Sequence, residues 1–249
     1  MADTLGLKGR VALVTGAGGG IGSAVVSLLG ELGALVVATD ASAESLTRLP
    51  QSGPGGAPIV ADIGAQGACD KLVAEVIRRH GRIDILVNNA AVLIRKEIDE
   101  YEDADWDRTF DVNLRSQFLL CRAASRSMKE RNWGRIVNMA ASNVYNGGLY
   151  QSSLYAIAKG GTLTLTRSFA SRLAAFGICV NTVAPGPVNT PMFSYRLTEA
   201  DIADFHKRLP MKRIAEPIEM ARVIAFLCSD WASYITGQVI DANGGQIMR

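Results

Sequence analysis

With 249 residues, 48% of them hydrophobic and 20% charged, the chain is long enough for one large α/β core and too apolar to stay disordered. A net charge of +2, spread evenly, excludes a surface built for nucleic acid or an anionic membrane, and no run of 18 apolar residues is present to span a bilayer. Four scattered cysteines (Cys69, Cys121, Cys179, Cys228) without a CxxC pair, two histidines without metal-ligand spacing and the lack of an apolar leader predict a metal-free cytoplasmic protein with buried thiols.

Short β-branched runs at 11–14, 35–39, 57–61, 83–87, 135–139, 178–183 and 238–240 alternate with helical patterns at 21–32, 42–49, 67–80, 104–131, 154–176 and 217–228. The alternation predicts parallel strands joined by crossover helices: a single domain, 1–249, built on a Rossmann-type, doubly wound, seven-stranded sheet with helices on both faces. Several strands are continuously apolar, as a sheet covered on both sides requires. Residues 51–58, QSGPGGAP, read as a flexible loop. The longest irregular stretch, about 184–212, exceeds the usual loop length and is the candidate substrate lid, taken as 186–212.

The first strand runs into Gly16, Gly20, Ile21 and Gly22 (VTGAGGGIG) and then into a helix. Glycines there permit a tight turn and let the backbone approach a pyrophosphate at the helix N-terminus. The spacing is GxxxGxG rather than GxGxxG, so its context carries the signal. Asp40 closes the second strand, eighteen residues after Gly22. A carboxylate at that point accepts both hydroxyls of an adenosine ribose and repels a 2′-phosphate, and no cation follows before Arg48; this favours NAD over NADP. The plainer reading is a helix N-cap. Asp62 with Ile63, and Asn88-Asn89-Ala90-Ala91, follow the third and fourth strands, at the sheet edge where such folds bind ligands. Asn113 falls mid-helix, where it either faces solvent or bends the helix and holds a water.

Tyr155 and Lys159 are four residues apart in a helical pattern, and so share one face. An ammonium about 4 Å from a phenolate, at an effective dielectric near 20, stabilises it by roughly 4 kcal/mol. That is about three pKa units, enough to bring a tyrosine toward neutrality. Such a tyrosine can exchange protons with an alcohol or ketone. Ser142, thirteen residues before Tyr155, could bond the same substrate oxygen. The Tyr–Lys pair by itself is common and weak.

Taken in order, these motifs resemble the short-chain dehydrogenase/reductase family in its single-domain form, over essentially the whole chain. The run from Thr15 to Gly22 looks like the family's TGxxxGIG cofactor loop, and Asn88-Asn89-Ala90 like its NNAG turn with Ala91 in place of glycine. Asn113, Ser142, Tyr155 and Lys159 fall where the family has its catalytic tetrad; Asn181 to Gly186 (NTVAPG) and Thr190 look like the segment flanking the nicotinamide. The segment 134–155 is one residue longer than the commonest spacing. Ser142 keeps the common distance to Tyr155, Ala140 and Ala141 lack a hydroxyl, and Ser152 and Ser153 lie where they would cap the next helix.

The resemblance implies hydride transfer between NAD(H) and a small-molecule secondary alcohol or ketone. Tyr155 would be the general acid/base, Lys159 would lower its pKa and bind the nicotinamide ribose, Ser142 would polarise the substrate oxygen, and Asn113 would hold a water linking Lys159 to solvent. Gly16, Gly20, Ile21, Gly22, Asp40, Asp62, Ile63, Asn89, Ala90, Pro185, Gly186, Val188 and Thr190 would line the cofactor, with the Val188 backbone and the Thr190 hydroxyl on the carboxamide. Asn143, Tyr150, Met192 and Phe193 are the expected substrate contacts; His206 is better explained as a solvated lid residue. Arg196, Lys207, Arg208, Lys212 and Arg213 make the lid basic, which keeps a carboxylated or carrier-linked substrate open. The rival functions are an NADPH-dependent 3-oxoacyl-carrier reductase, a sugar or polyol dehydrogenase, and a non-catalytic NAD-binding regulator. The family's usual assembly implies a homotetramer paired through 104–131, 154–176 and 238–249.

Overall fold

The computed structural model describes residues 5–49, 56–148, 152–195 and 197–249. The apolar runs form strands β1 (Val11–Thr15), β2 (Leu35–Asp40), β3 (Ile59–Val60), β4 (Ile85–Asn88), β5 (Gly134–Met139), β6 (Ile178–Pro185) and β7 (Val239–Ala242). They make one seven-stranded sheet in the order β3-β2-β1-β4-β5-β6-β7, every neighbouring pair parallel. The helices are α1 (Gly20–Glu31), α2 (Ala43–Thr47), α3 (Ala68–His80), α4 (Asp103–Phe110), α5 (Ser116–Lys129), α6 (Ser153–Leu173), α7 (Pro191–Ser194), α8 (Glu199–Arg208) and α9 (Pro217–Cys228).

Side chains alternate across each strand, and this sorts the core into two layers. Ala12 and Val14 face the layer containing Val25 and Leu29 of α1 and Ala221 and Ile224 of α9. Val11 and Leu13 face the opposite layer, with Leu72 and Val76 of α3, Leu120 of α5 and Leu165 of α6. Because both faces are covered, β1, β4, β5 and β6 are buried along their whole length. The chain winds outward from β1 to β3 and then returns to β4 beside β1. The strand order therefore reverses between β1 and β4, which opens a crevice at their C-terminal ends.

Three expectations change. The strand expected at 57–61 shrinks to Ile59–Val60, because β3 is an edge strand that pairs with Thr39 and Asp40 alone. The single helix expected at 104–131 is divided by a π-helical turn, Asp111–Arg115, between α4 and α5. The stretch expected to be irregular from 184 to 212 begins inside β6 and holds α7 and α8. Thr190 caps α7 from its side chain, and Thr198 with Asp201 forms a capping box on α8. Most of the loop at 51–58 lies outside the described residues.

Candidate active site

The crevice holds a cavity of about 580 Å³ that runs from Asp40 past Tyr155 to Phe193 and Phe205. At its first end β1 turns into α1. Gly16 sits at φ +62°, and a Cβ there would lie 2.7 Å from the Ala90 Cα; one on Gly22 would lie 2.0 Å from the Gly16 carbonyl oxygen. Neither position tolerates a side chain. Helix α1 starts with no side-chain cap and no acidic residue in its first turn, so its N–H groups and positive dipole end remain available to an anion.

Asn89 braces this loop. Its Nδ2 donates to the carbonyls of Thr15 and Gly16, both at 3.0 Å, while Asn89 N and Ala90 N each donate to Thr15 Oγ1 at 3.1 Å. Asp40 ends β2 beside the loop, accepting from Gly18 N at 3.0 Å and from Ser42 N at 3.2 Å. The cap of α2 is Ser42, not Asp40. Both carboxylate oxygens of Asp62 accept from Arg108 Nη1, at 2.9 and 3.0 Å, and Ile63 is buried beside it. Loop glycines, an open helix terminus and a carboxylate at the β2 edge together fit a dinucleotide.

Tyr155 and Lys159 stand one turn apart on α6 and line the middle of the cavity. Lys159 is almost wholly buried, and its Nζ donates to the Met139 carbonyl at 2.7 Å, 5.6 Å from the centre of the Tyr155 ring. Burial pulls the Lys159 ammonium down to about 7. Burial also pushes the Tyr155 phenol up to about 12, with Arg95 as the cation that offsets it. This corrects the expected electrostatics: a helical i,i+4 pair shares a face, but here the ammonium is directed at the end of β5 rather than at the phenol oxygen.

Ser142 is buried just beyond β5, and its Oγ donates to Gln246 Oε1 at 2.9 Å. It lines the cavity with Tyr155 and Lys159, so the longer 134–155 segment still delivers its hydroxyl there. Ser152 holds the N-cap position of α6, but its hydroxyl accepts from Asn143 Nδ2 at 3.3 Å instead of capping. Asn113 is fully buried in the π turn. Its Oδ1 accepts from Val92 N at 2.8 Å and its Nδ2 donates to Val92 O at 2.9 Å. The solvent-facing alternative is thereby excluded, and Asn113 does not line the cavity.

Pro185, Gly186, Val188 and Thr190 carry β6 out over the crevice. The Thr190 hydroxyl accepts from Phe193 N at 3.2 Å and donates to Val188 O at 3.3 Å, leaving one lone pair open. Of the expected substrate contacts, Asn143, Met192 and Phe193 line the far end, Phe193 packing edge-on against Phe205 at 5.1 Å. Tyr150 and Arg196 lie outside the described residues. His206 is exposed.

A family model described as enoyl-(acyl carrier protein) reductase matches residues 16–246. The chain belongs to the short-chain dehydrogenase/reductase family. It is 39% identical over 246 residues to the (2S)-((R)-hydroxy(phenyl)methyl)succinyl-CoA dehydrogenase subunit BbsD of Thauera aromatica, covering 97% of this chain and 98% of that one. It is 37% identical to the 3-oxoacyl-(acyl-carrier-protein) reductase FabG of Thermotoga maritima, covering 97% and 99%. A crystal structure assigned to an NAD(P)-dependent gluconate 5-dehydrogenase of Beutenbergia cavernae, with bound NADP, superposes with a TM-score of 0.88 at 34% identity, covering 97% and 98%.

Within this short-chain dehydrogenase/reductase site, Arg95, Arg108 and Gln246 escaped the sequence reading yet line the cavity, and so does Arg48, which the sequence placed too far along the chain from Asp40 to count. Arg95 had one local signal, an arginine ending the apolar run Val92-Leu93-Ile94 just past the ligand edge of β4. Gln246 had none, since nothing near it in sequence points to Ser142.

Proposed function

We propose that this protein is an NAD-dependent oxidoreductase acting on a small secondary alcohol or its ketone. The observation that supports this most is the convergence of Ser142, Tyr155 and Lys159 on one cavity with an open α1 N-terminus and Asp40. A nicotinamide cofactor, when bound, supplies or accepts the hydride. The chain's own groups handle the proton and the orientation. Tyr155, protonated across the neutral range, donates to the carbonyl oxygen in reduction; in oxidation it first gives its own proton to the Lys159 amine and, as the phenolate, takes the hydroxyl proton. Ser142 turns its hydroxyl from Gln246 to that oxygen and holds it in place. Lys159 binds a ribose hydroxyl and, released from Met139, returns the proton to Tyr155; the Asn113 turn is the route by which a water connects Lys159 to solvent.

Asp40 supports NAD, its carboxylate facing the place of a ribose 2′-hydroxyl. One observation favours NADP instead: Arg48 lines the same end of the cavity and would meet a 2′-phosphate once freed from Glu44, its partner at 2.6 Å. The 186–212 segment serves as the substrate lid of a single 1–249 domain. A homotetramer is supported by the groove of Leu114, Phe118, Gly161, Leu165 and Phe169 between α5 and α6, where Phe118 is exposed. The cytoplasm is supported by the four cysteines, all free and buried. No helix among the described residues is long and apolar enough to cross a membrane.

Tyr155→Phe tests the reading. Hydride transfer followed by stopped flow falls by about 10³-fold or more, the scale of a lost general acid/base, while NADH still binds. Wild-type rates in the variant would sink it.

A further inference from the structure

We propose that Arg95 is a carboxylate-binding residue, and that the substrate is an acid whose carboxylate lies across the cavity from the reacting hydroxyl or ketone. Arg95 is 8% exposed, lines the cavity beside Leu93, and donates from its guanidinium to the Phe193 carbonyl of α7 at 3.5 Å. Tyr101 Oη fixes the segment by donating to the Ile94 carbonyl at 3.1 Å. Its charge is felt by Tyr101, Tyr155 and Asp201 of α8. Bonded to Phe193 of the lid and lining the same cavity as Tyr155, it lies at the substrate end.

Among the described residues, the other arginines of the cavity and the basic groups of the lid are placed elsewhere. Arg48 and Arg108 line the nucleotide end and pair with Glu44 and Asp62. On the lid, Lys207, Arg208, Lys212 and Arg213 are exposed; Arg208 pairs with Asp204, Arg213 with Glu219, and Lys212 Nζ bonds the Lys207 carbonyl. Among the described residues the basic groups of the lid thus lie on its outer surface, and Arg95 is the arginine placed to meet a substrate beneath it. An arginine keeps its charge at any working pH, and its planar fork matches a carboxylate in two hydrogen bonds. Around it Leu93, Met192, Phe193 and Phe205 are apolar. Burying a dianion in such a wall costs more than burying a monoanion, which favours the carboxylate over a phosphate.

The inference rests on the oxidoreductase reading for the place of the reacting oxygen, but its test needs no turnover. The enzyme saturated with NADH is titrated calorimetrically with butanoate, hexanoate, benzoate and phenylacetate, and with the amide of each. At least one carboxylate binds about 10- to 100-fold tighter than its amide, the scale of a charged hydrogen-bonded pair. Arg95→Gln removes that preference and leaves amide and NADH binding in place; Arg95→Lys, which keeps the charge without the fork, retains part of it. The proposal is overturned if no acid outbinds its amide on the wild-type enzyme, a comparison that stands even if the variants fail to fold. It is equally overturned if Arg95→Gln keeps the preference, since Arg95 would then be a lid tether. Carboxylate binding that depends on Arg95, alongside unimpaired turnover in Tyr155→Phe, would remove the mechanism and keep this site.

Discussion

The two ends of the cavity are built by different means. The nucleotide end is made of main chain: glycines that exclude a Cβ, an uncapped helix terminus, and the Asn89 and Thr15 bonds to neighbouring backbone. Its ion-paired side chains, Arg48, Asp62 and Arg108, are well exposed, and Asp40 bonds to main-chain N–H groups. The substrate end is made of side chains from distant segments. Arg95, Ser142, Lys159 and Gln246 meet there, and its two cations are buried, Lys159 to 1% and Arg95 to 8% exposure. A backbone site tolerates almost no change at its glycines but serves any dinucleotide of the right shape. A side-chain site can be retuned residue by residue, so substrate choice is located there.

Gly22→Ala is the sharpest way to break the first end. Its new Cβ would sit 2.0 Å from a main-chain oxygen, which cannot step aside as a side-chain tip could. We expect NADH affinity, read by fluorescence titration, to fall by about 100-fold, the cost of strain of a few kcal/mol at a special backbone position. Affinity within a factor of two of wild type would mean that the loop is softer than a backbone-built site should be.

Asp40→Ala produces a smaller and more selective change. If Asp40 is the ribose acceptor proposed above, removing its carboxylate takes away that acceptor and the repulsion toward a 2′-phosphate, beside Arg48. The ratio of kcat/KM for NAD over NADP is expected to drop by about 10-fold, one lost charged hydrogen bond. An unchanged ratio would remove Asp40 from cofactor choice and give weight to Arg48.

The same division decides what could be read from sequence. Gly16, Gly20, Gly22 and Asp40 were legible because strand, turn and helix follow one another, so local pattern and spatial site coincide. Tyr155 and Lys159 were legible as a helical pair, yet the direction of the Lys159 ammonium was not. That depends on the Met139 carbonyl, brought beside α6 by the sheet. Asn113 looked like a mid-helix residue because periodicity does not reveal that the Val92 main chain, 21 residues earlier, recruits its amide and opens a π turn. The lid helices were missed because α7 is a single turn and α8 holds few large apolar residues, Ile202 and Phe205, behind the capping signals Thr190 and Thr198. Gln246 lies 104 residues from Ser142, a separation that no local pattern can span.

Lys159→Met in the cofactor-free protein gives the smallest effect and bears most directly on the contrast, because it tests whether the substrate end stores a buried charge. The folded ammonium titrates near 7 against 10.5 for an unperturbed lysine, its burial being the cause. Below about pH 7 both folded and unfolded chains hold the proton, and the folded chain carries the full cost of a buried cation. Between 7 and 10.5 the folded chain sheds it while the unfolded chain keeps it, so this group makes stability rise with pH. Methionine has no such term. The Tm of the wild type should therefore gain on that of Lys159→Met by several degrees between pH 7 and pH 10, at roughly 2–4 °C per kcal/mol for a chain of this size. The offset at a single pH mixes in the lost bond to Met139, so the slope is the discriminating quantity. A gap that stays flat with pH would mean that water reaches the ammonium, and that this end of the cavity is as solvated as the nucleotide end.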